Sequence, residues 1–160
     1  MGPGALTRLL RKEQAVSAAI NAALSAAFFA LVFGLSARGL TMGGPDRFAF
    51  DFLPQGVMVS LMASLVPSLL VRARLRASGD VSACDGPGGA EIARTVLFSV
   101  LAGVASAGAL MALAVLGPLE SVPSWPALMF KILYGALLGL ACTRWAIHTL
   151  FAQRMMGAGA

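Results

Sequence analysis

Few side chains in the interior of this 160-residue sequence can do polar chemistry. They are Asn21, Lys131, the backbone-breaking Pro67, and several runs of small or hydroxyl residues at helical spacing. Ser17, Asn21 and Ser25 recur every fourth residue, as do Ser60, Ser64 and Ser68, and as do Gly135, Gly139 and Thr143. A carboxamide both donates and accepts, an ammonium is a compact charge, and a proline within a helix frees the carbonyl four residues earlier, here that of Ala63. Such groups serve either as hydrogen-bonded glue between helices or as the lining of a substrate path through Asn21, Pro67 and Lys131.

The usual catalytic sets are missing from the sequence. His148 is the single histidine, and Cys84 and Cys142 are too far apart for a CxxC redox or zinc motif, so both read as free thiols. No P-loop, HExxH or GxSxG stands in the chain. All seven acidic residues lie outside the apolar stretches or at their edges, which argues against a proton-coupled exporter built on a buried carboxylate. The expectation is a protein that is not an enzyme, with no cofactor and no metal.

The elements that must position these residues are four long apolar stretches, about 15–35, 53–71, 93–116 and 125–146. A hydrocarbon core of roughly 30 Å takes ~20 apolar residues at ~1.5 Å each, and every stretch has that length. Hydrophobic residues make up 58% of the chain and charged ones only 12%, with a mean hydropathy of +0.83. Ordinary soluble domains carry about 25% charge. The fold class is therefore all-α, an integral membrane protein whose single domain, 1–160, is a compact bundle of four transmembrane helices. The first stretch follows a basic leader, but it exceeds the ~7 to 15 residue core of a signal peptide and is expected to be retained.

Arginine placement orients the bundle. Arg8, Arg11 and Lys12 precede the first span, Arg72, Arg74, Arg76 and Arg94 lie between the second and third, and Arg144 and Arg154 follow the fourth. By the positive-inside rule both termini are cytoplasmic. The basic pI of about 10.3 thus reflects topology rather than a nucleic-acid surface. Arginine preferred over lysine, with abundant alanine and glycine, points to a GC-rich bacterial genome and hence to a bacterial inner membrane. Arg72, Arg74 and Arg76 are expected against anionic headgroups, each contributing on the order of 1 kcal/mol.

The external connection, 36–52, alternates Phe48, Phe50 and Phe52 with Arg47, Ala49 and Asp51, as for rings at headgroup depth, and Pro54 suits the first turn of the next helix. Residues 77–90, rich in glycine, read as a flexible cytoplasmic linker. Gly103, Gly135 and Gly139 allow close helix approach, within one chain or between copies, while Met58 and Met62 read as packing material. Lys131, about six residues inside the fourth span, is expected to snorkel outward, with pairing to Asp46, Asp51 or Glu120 as the alternative. A weak duplication relates Pro54 and Arg72 to Pro126 and Arg144, and Pro67 to Gly139. Two functions fit these features. One is a noncatalytic assembly or accessory subunit packing through small-residue faces, as a homo-oligomer or in a larger membrane complex. The other is a small oligomeric permease or channel.

Overall fold

The computed structural model describes residues 3–77 and 88–157, and within these the side chains of residues 11, 14–73 and 88–150. Of the described residues about 82% are helical, and among them are four helices long and apolar enough to cross a membrane. They are α1 (Pro3–Phe33), α2 (Phe52–Ala77), α3 (Gly89–Leu116) and α4 (Ser124–Gly157). The apolar windows run Gln14–Phe33, Phe48–Ala73, Gly89–Leu116 and Ser124–Leu150, close to the spans expected from hydropathy. The linker expected at 77–90 falls mostly on residues outside those described. In its described last part Gly88 caps α3, and its N–H donates to the Glu91 carboxylate at 3.1 Å.

Between α1 and α2 the chain leaves the helix at Gly34, whose φ of 74° is the left-handed conformation that glycine adopts without penalty. It then forms β1 (Gly39–Thr41), which pairs antiparallel with β2 (Ser121–Pro123), the segment joining α3 to α4. The register sets Leu40 opposite Val122, with Leu40 fully buried beneath the ribbon. Ser124, the first residue of α4, ties the two connections together. Its backbone N–H and its hydroxyl both donate to the Arg38 carbonyl, at 3.0 and 2.5 Å. The ribbon thus caps one end of the bundle, called here the ribbon end.

The rings before α2 depart from the interfacial placement expected of them. Residues Phe48–Asp51 form a 3-10 turn that runs into α2, so Phe48 and Phe52 stand one helical turn apart and both point inward, each 3% exposed. Only Phe50, on the other side of the turn, faces outward. The buried rings join Phe29, Phe33, Phe130 and Tyr134 in a chain of edge-on and tilted contacts with centroids 5.2 to 6.2 Å apart. Such pairs contribute roughly 0.5–1.5 kcal/mol each beyond the area they bury, and they weld α1, α2 and α4 at the ribbon end.

Helix pairing is crossed between the hairpins. α1 lies mainly on α4, α3 lies mainly on α2, and α2 meets α4 at the centre, whereas α1 and α2 scarcely touch. Small residues permit each close approach. A Cβ on Gly103 of α3 would stand 2.7 Å from the Gly56 carbonyl oxygen of α2, and those on Gly135 and Gly139 of α4 would run into Ser25 and Asn21 of α1. The glycine faces are therefore occupied within the chain.

Candidate functional site

Because α1 and α2 both lean on α4 without closing on each other, a groove of about 510 Å³ runs between them. From Pro54 to Leu70 its α2 wall is ~24 Å long at ~1.5 Å per residue. Its flanks are apolar, with Ile20, Leu24 and Phe28 from α1 and Met58, Met62 and Val66 from α2. Met58 and Met62 are 53% and 44% exposed, so they line this opening rather than fill the core. Asn21, Pro67 and Lys131, the three residues of the expected path, all lie in its wall.

Polar side chains concentrate at two levels of the groove. Toward the linker end they gather around Pro67. Thr143 of α4, fully buried, donates its hydroxyl to the Ala63 carbonyl at 3.0 Å, the acceptor that Pro67 leaves without its helical donor. Thr143 Oγ1 is also 2.8 Å from Ser17 Oγ. One hydroxyl has one proton, so with Thr143 donating to Ala63, Ser17 donates to Thr143. Asn21 Nδ2 donates to the Ser17 carbonyl at 2.8 Å and to Ser17 Oγ at 3.3 Å, and its side chain rests on Gly139. The chain from Asn21 to Ala63 thus crosses three helices at one level.

The second level lies at the ribbon end. Lys131 is 1% exposed and forms an ion pair with Asp51, with its ammonium also 5.4 Å from the centre of the Phe33 ring. This corrects the expectation of snorkelling. The lysine is seven residues, or ~10 Å, into α4, but α4 reaches beyond its neighbours, so Lys131 is level with Phe33, the last residue of α1, and with Asp51, which immediately precedes α2. The 3-10 turn and the rings cover it before its stem can extend outward. Gln55 sits one turn below. Its Nε2 donates to Ser25 Oγ at 2.8 Å and to the Lys131 carbonyl at 3.0 Å, which fixes the amide orientation and leaves Oε1 buried with no donor among the described residues.

The serine ladder of α2 is spent within its own helix. Ser60, Ser64 and Ser68 are fully buried and donate to the carbonyls of Gly56, Ser60 and Ser64, each at 2.6 Å, so small polar residues pack against α3 without an open hydrogen bond. Arg72 lies half buried near Gly89, and the side chains of Arg74 and Arg76 fall outside the described residues. Cys142 is buried, His148 is exposed, and Cys84 lies outside the described residues. Gln55 is a site residue that the sequence reading did not single out, whereas Asp51 stood among the three candidate partners of Lys131. The signal for Gln55 was present, as the only carboxamide within the second apolar stretch.

No family model, curated protein or solved structure matches this chain.

Proposed function

We propose that this protein is a noncatalytic, multi-pass protein of a bacterial inner membrane, with both termini cytoplasmic and the ribbon end outside, that takes a lipid-like amphiphile into the groove between α1 and α2. The observation that carries this reading is the groove: about 510 Å³, with long apolar flanks and its polar groups confined to two levels. That volume is within the ~300–1,000 Å³ of ordinary ligand sites, which likewise combine apolar walls with a few placed polar groups. A site flanked by α1 and α2 draws its ligand sideways from the hydrocarbon. The permease reading gains from the presence of Asn21, Pro67 and Lys131 in one wall, and lateral access makes an amphiphile a better cargo than an ion. The test is photolabelling in vesicles with a phospholipid carrying a photoreactive acyl chain. Saturable labelling at Phe28, Met58 and Met62, above that at Leu97 and Leu101 of α3, is expected. Uniform, unsaturable labelling of all outward faces would overturn the proposal.

One observation favours an accessory role as a second reading. The ~24 Å length of the α2 wall exceeds the half-thickness of a bilayer, ~15 Å, and suits a helix from another membrane subunit. The small-residue faces, being occupied inside the chain, are not available for that contact.

A further inference from the structure

The two ends of the groove differ in what they offer a headgroup. At the ribbon end both partners of the ion pair line the groove, but the Lys131 side chain is only 1% exposed while that of Asp51 keeps 14% of its surface open. One turn below, Gln55 Oε1 lies buried without a donor among the described residues. The more open partner of the pair, Asp51, and the buried Gln55 Oε1 are both acceptors, and Oε1 is reached once a ligand displaces the side chains over it. The Gln55 amide cannot rotate to present its donors without giving up Ser25 Oγ and the Lys131 carbonyl. Buried acceptors left unpaired are destabilising, and a donor brought in by a ligand removes that cost. A carboxylate paired to an ammonium on one side still accepts hydrogen bonds on the other, and bonds to a charged acceptor are the stronger kind.

Resting on the amphiphile reading of the groove, we infer that its ribbon end selects membrane lipids whose headgroup carries an ammonium N–H donor, which bonds to Asp51 and Gln55 while an acyl chain lies along Ile20, Leu24, Met58 and Met62. The depth agrees with this. The ion pair is level with the ends of α1 and α2, where a headgroup of the same leaflet lies, and the apolar flanks begin directly below. A quaternary choline headgroup has the same charge and no N–H, so it cannot make these bonds. A phosphatidylglycerol headgroup has hydroxyl donors but adds a net negative charge facing Asp51.

The experiment is competition for the photoreactive phospholipid in nanodiscs of defined composition, using the full chain. Phosphatidylethanolamine should suppress labelling at Met58 at about tenfold lower mole fraction than phosphatidylcholine of the same acyl chains, the discrimination that one charge-assisted hydrogen bond supplies. Gln55→Met should keep the labelling at Met58 and narrow that preference. Equal competition by the two lipids, with labelling still concentrated in the groove, would overturn the headgroup inference and leave the groove reading intact. Stronger competition by phosphatidylglycerol than by either would overturn it also. Loss of groove labelling altogether in the unmodified chain would instead overturn the amphiphile reading on which it rests.

Discussion

At the scale of single residues, the Lys131–Asp51 pair concentrates most of the electrostatic risk of the bundle. Removing one partner of a buried pair strands the other, at a cost of roughly 3–5 kcal/mol, whereas replacing both together is far cheaper. The two partners are not equivalent, since Lys131 is 1% exposed and Asp51 14%. Asp51→Asn strands the deeper charge and should lower the thermal midpoint in detergent more than Lys131→Met. The double variant should recover part of the loss. A double variant no better than Asp51→Asn would show that the pair is not coupled. Sequence reasoning identified Lys131 as the costly residue and Asp51 as one candidate partner, yet favoured snorkelling. Counting along one span gives depth relative to that span alone, and the protrusion of α4 past α1 and α2 has no local signature. The Ala63 carbonyl was the opposite case. A proline fixes which acceptor is freed, so its need for a donor was legible from Pro67, and only the identity of the donor, Thr143, required the fold.

Among the elements, helix extents were legible because long uninterrupted apolar stretches, of the length a membrane crossing takes, mark them directly in the sequence. The β1–β2 ribbon was not, since three-residue strands carry no periodic signal, and the aromatic alternation that suggested an interface turned out to be a helical repeat. Within the cap, Asp46 accepts from the Thr41 backbone N–H at 3.1 Å and pairs with Arg38 at 2.6 Å. The Thr41 amide first, and then the Arg38 side chain, hold its carboxyl below the ordinary value of 3.8. A depressed folded-state value means stabilisation that is fully present above pH ~3.8 and fades as pH falls through the lower folded value. Unfolding midpoints of the wild type should therefore fall more steeply than those of Asp46→Asn as the pH drops below about 4, and parallel curves would assign the acid loss to other groups. Helix contacts give a second expectation. A Cβ on Gly103 would lie 2.5 Å from Ser60 Oγ and 2.7 Å from the Gly56 carbonyl oxygen, while one on Gly108 meets nothing within 4 Å. Gly103→Ala should therefore destabilise α2–α3 packing. Gly108→Ala, in the same helix, should be neutral or stabilising by up to ~1 kcal/mol. The same direction for both in a thermal melt would mean that Gly103 is not at a tight contact.

On the scale of the whole molecule, the crossed pairing of helices is the arrangement that a duplicated hairpin, as hinted at in the sequence, would produce. The offset that relates Pro54 to Pro126 and Arg72 to Arg144 also relates Met58 to Phe130 and Met62 to Tyr134. In the fold, the first helix of each hairpin lies on the second helix of the other, as a twofold axis along the bundle would arrange them. The two flanks then differ in their side chains. Between α3 and α4, Tyr134 closes the gap, its hydroxyl 2.9 Å from Ser106 Oγ and its ring against Phe52. Between α1 and α2 the corresponding positions hold methionines, and the groove stays open. A repeat hinted at by a few matched positions could not show which flank would open, because that depends on which side chain reaches across. The crossed pairing has a direct consequence for assembly. Within one hairpin α1 and α2 scarcely touch, so neither hairpin has an internal interface comparable with those that join it to the other, and helix association in lipid depends on such contacts. Residues 1–82 and 83–160, expressed as separate polypeptides, should each be degraded or aggregate alone, and should copurify from membranes when coexpressed. Gly139→Leu, which drives a side chain into Asn21, should abolish that copurification. Two hairpins that are each stable and monodisperse in detergent, and that do not associate when coexpressed, would contradict the crossed arrangement.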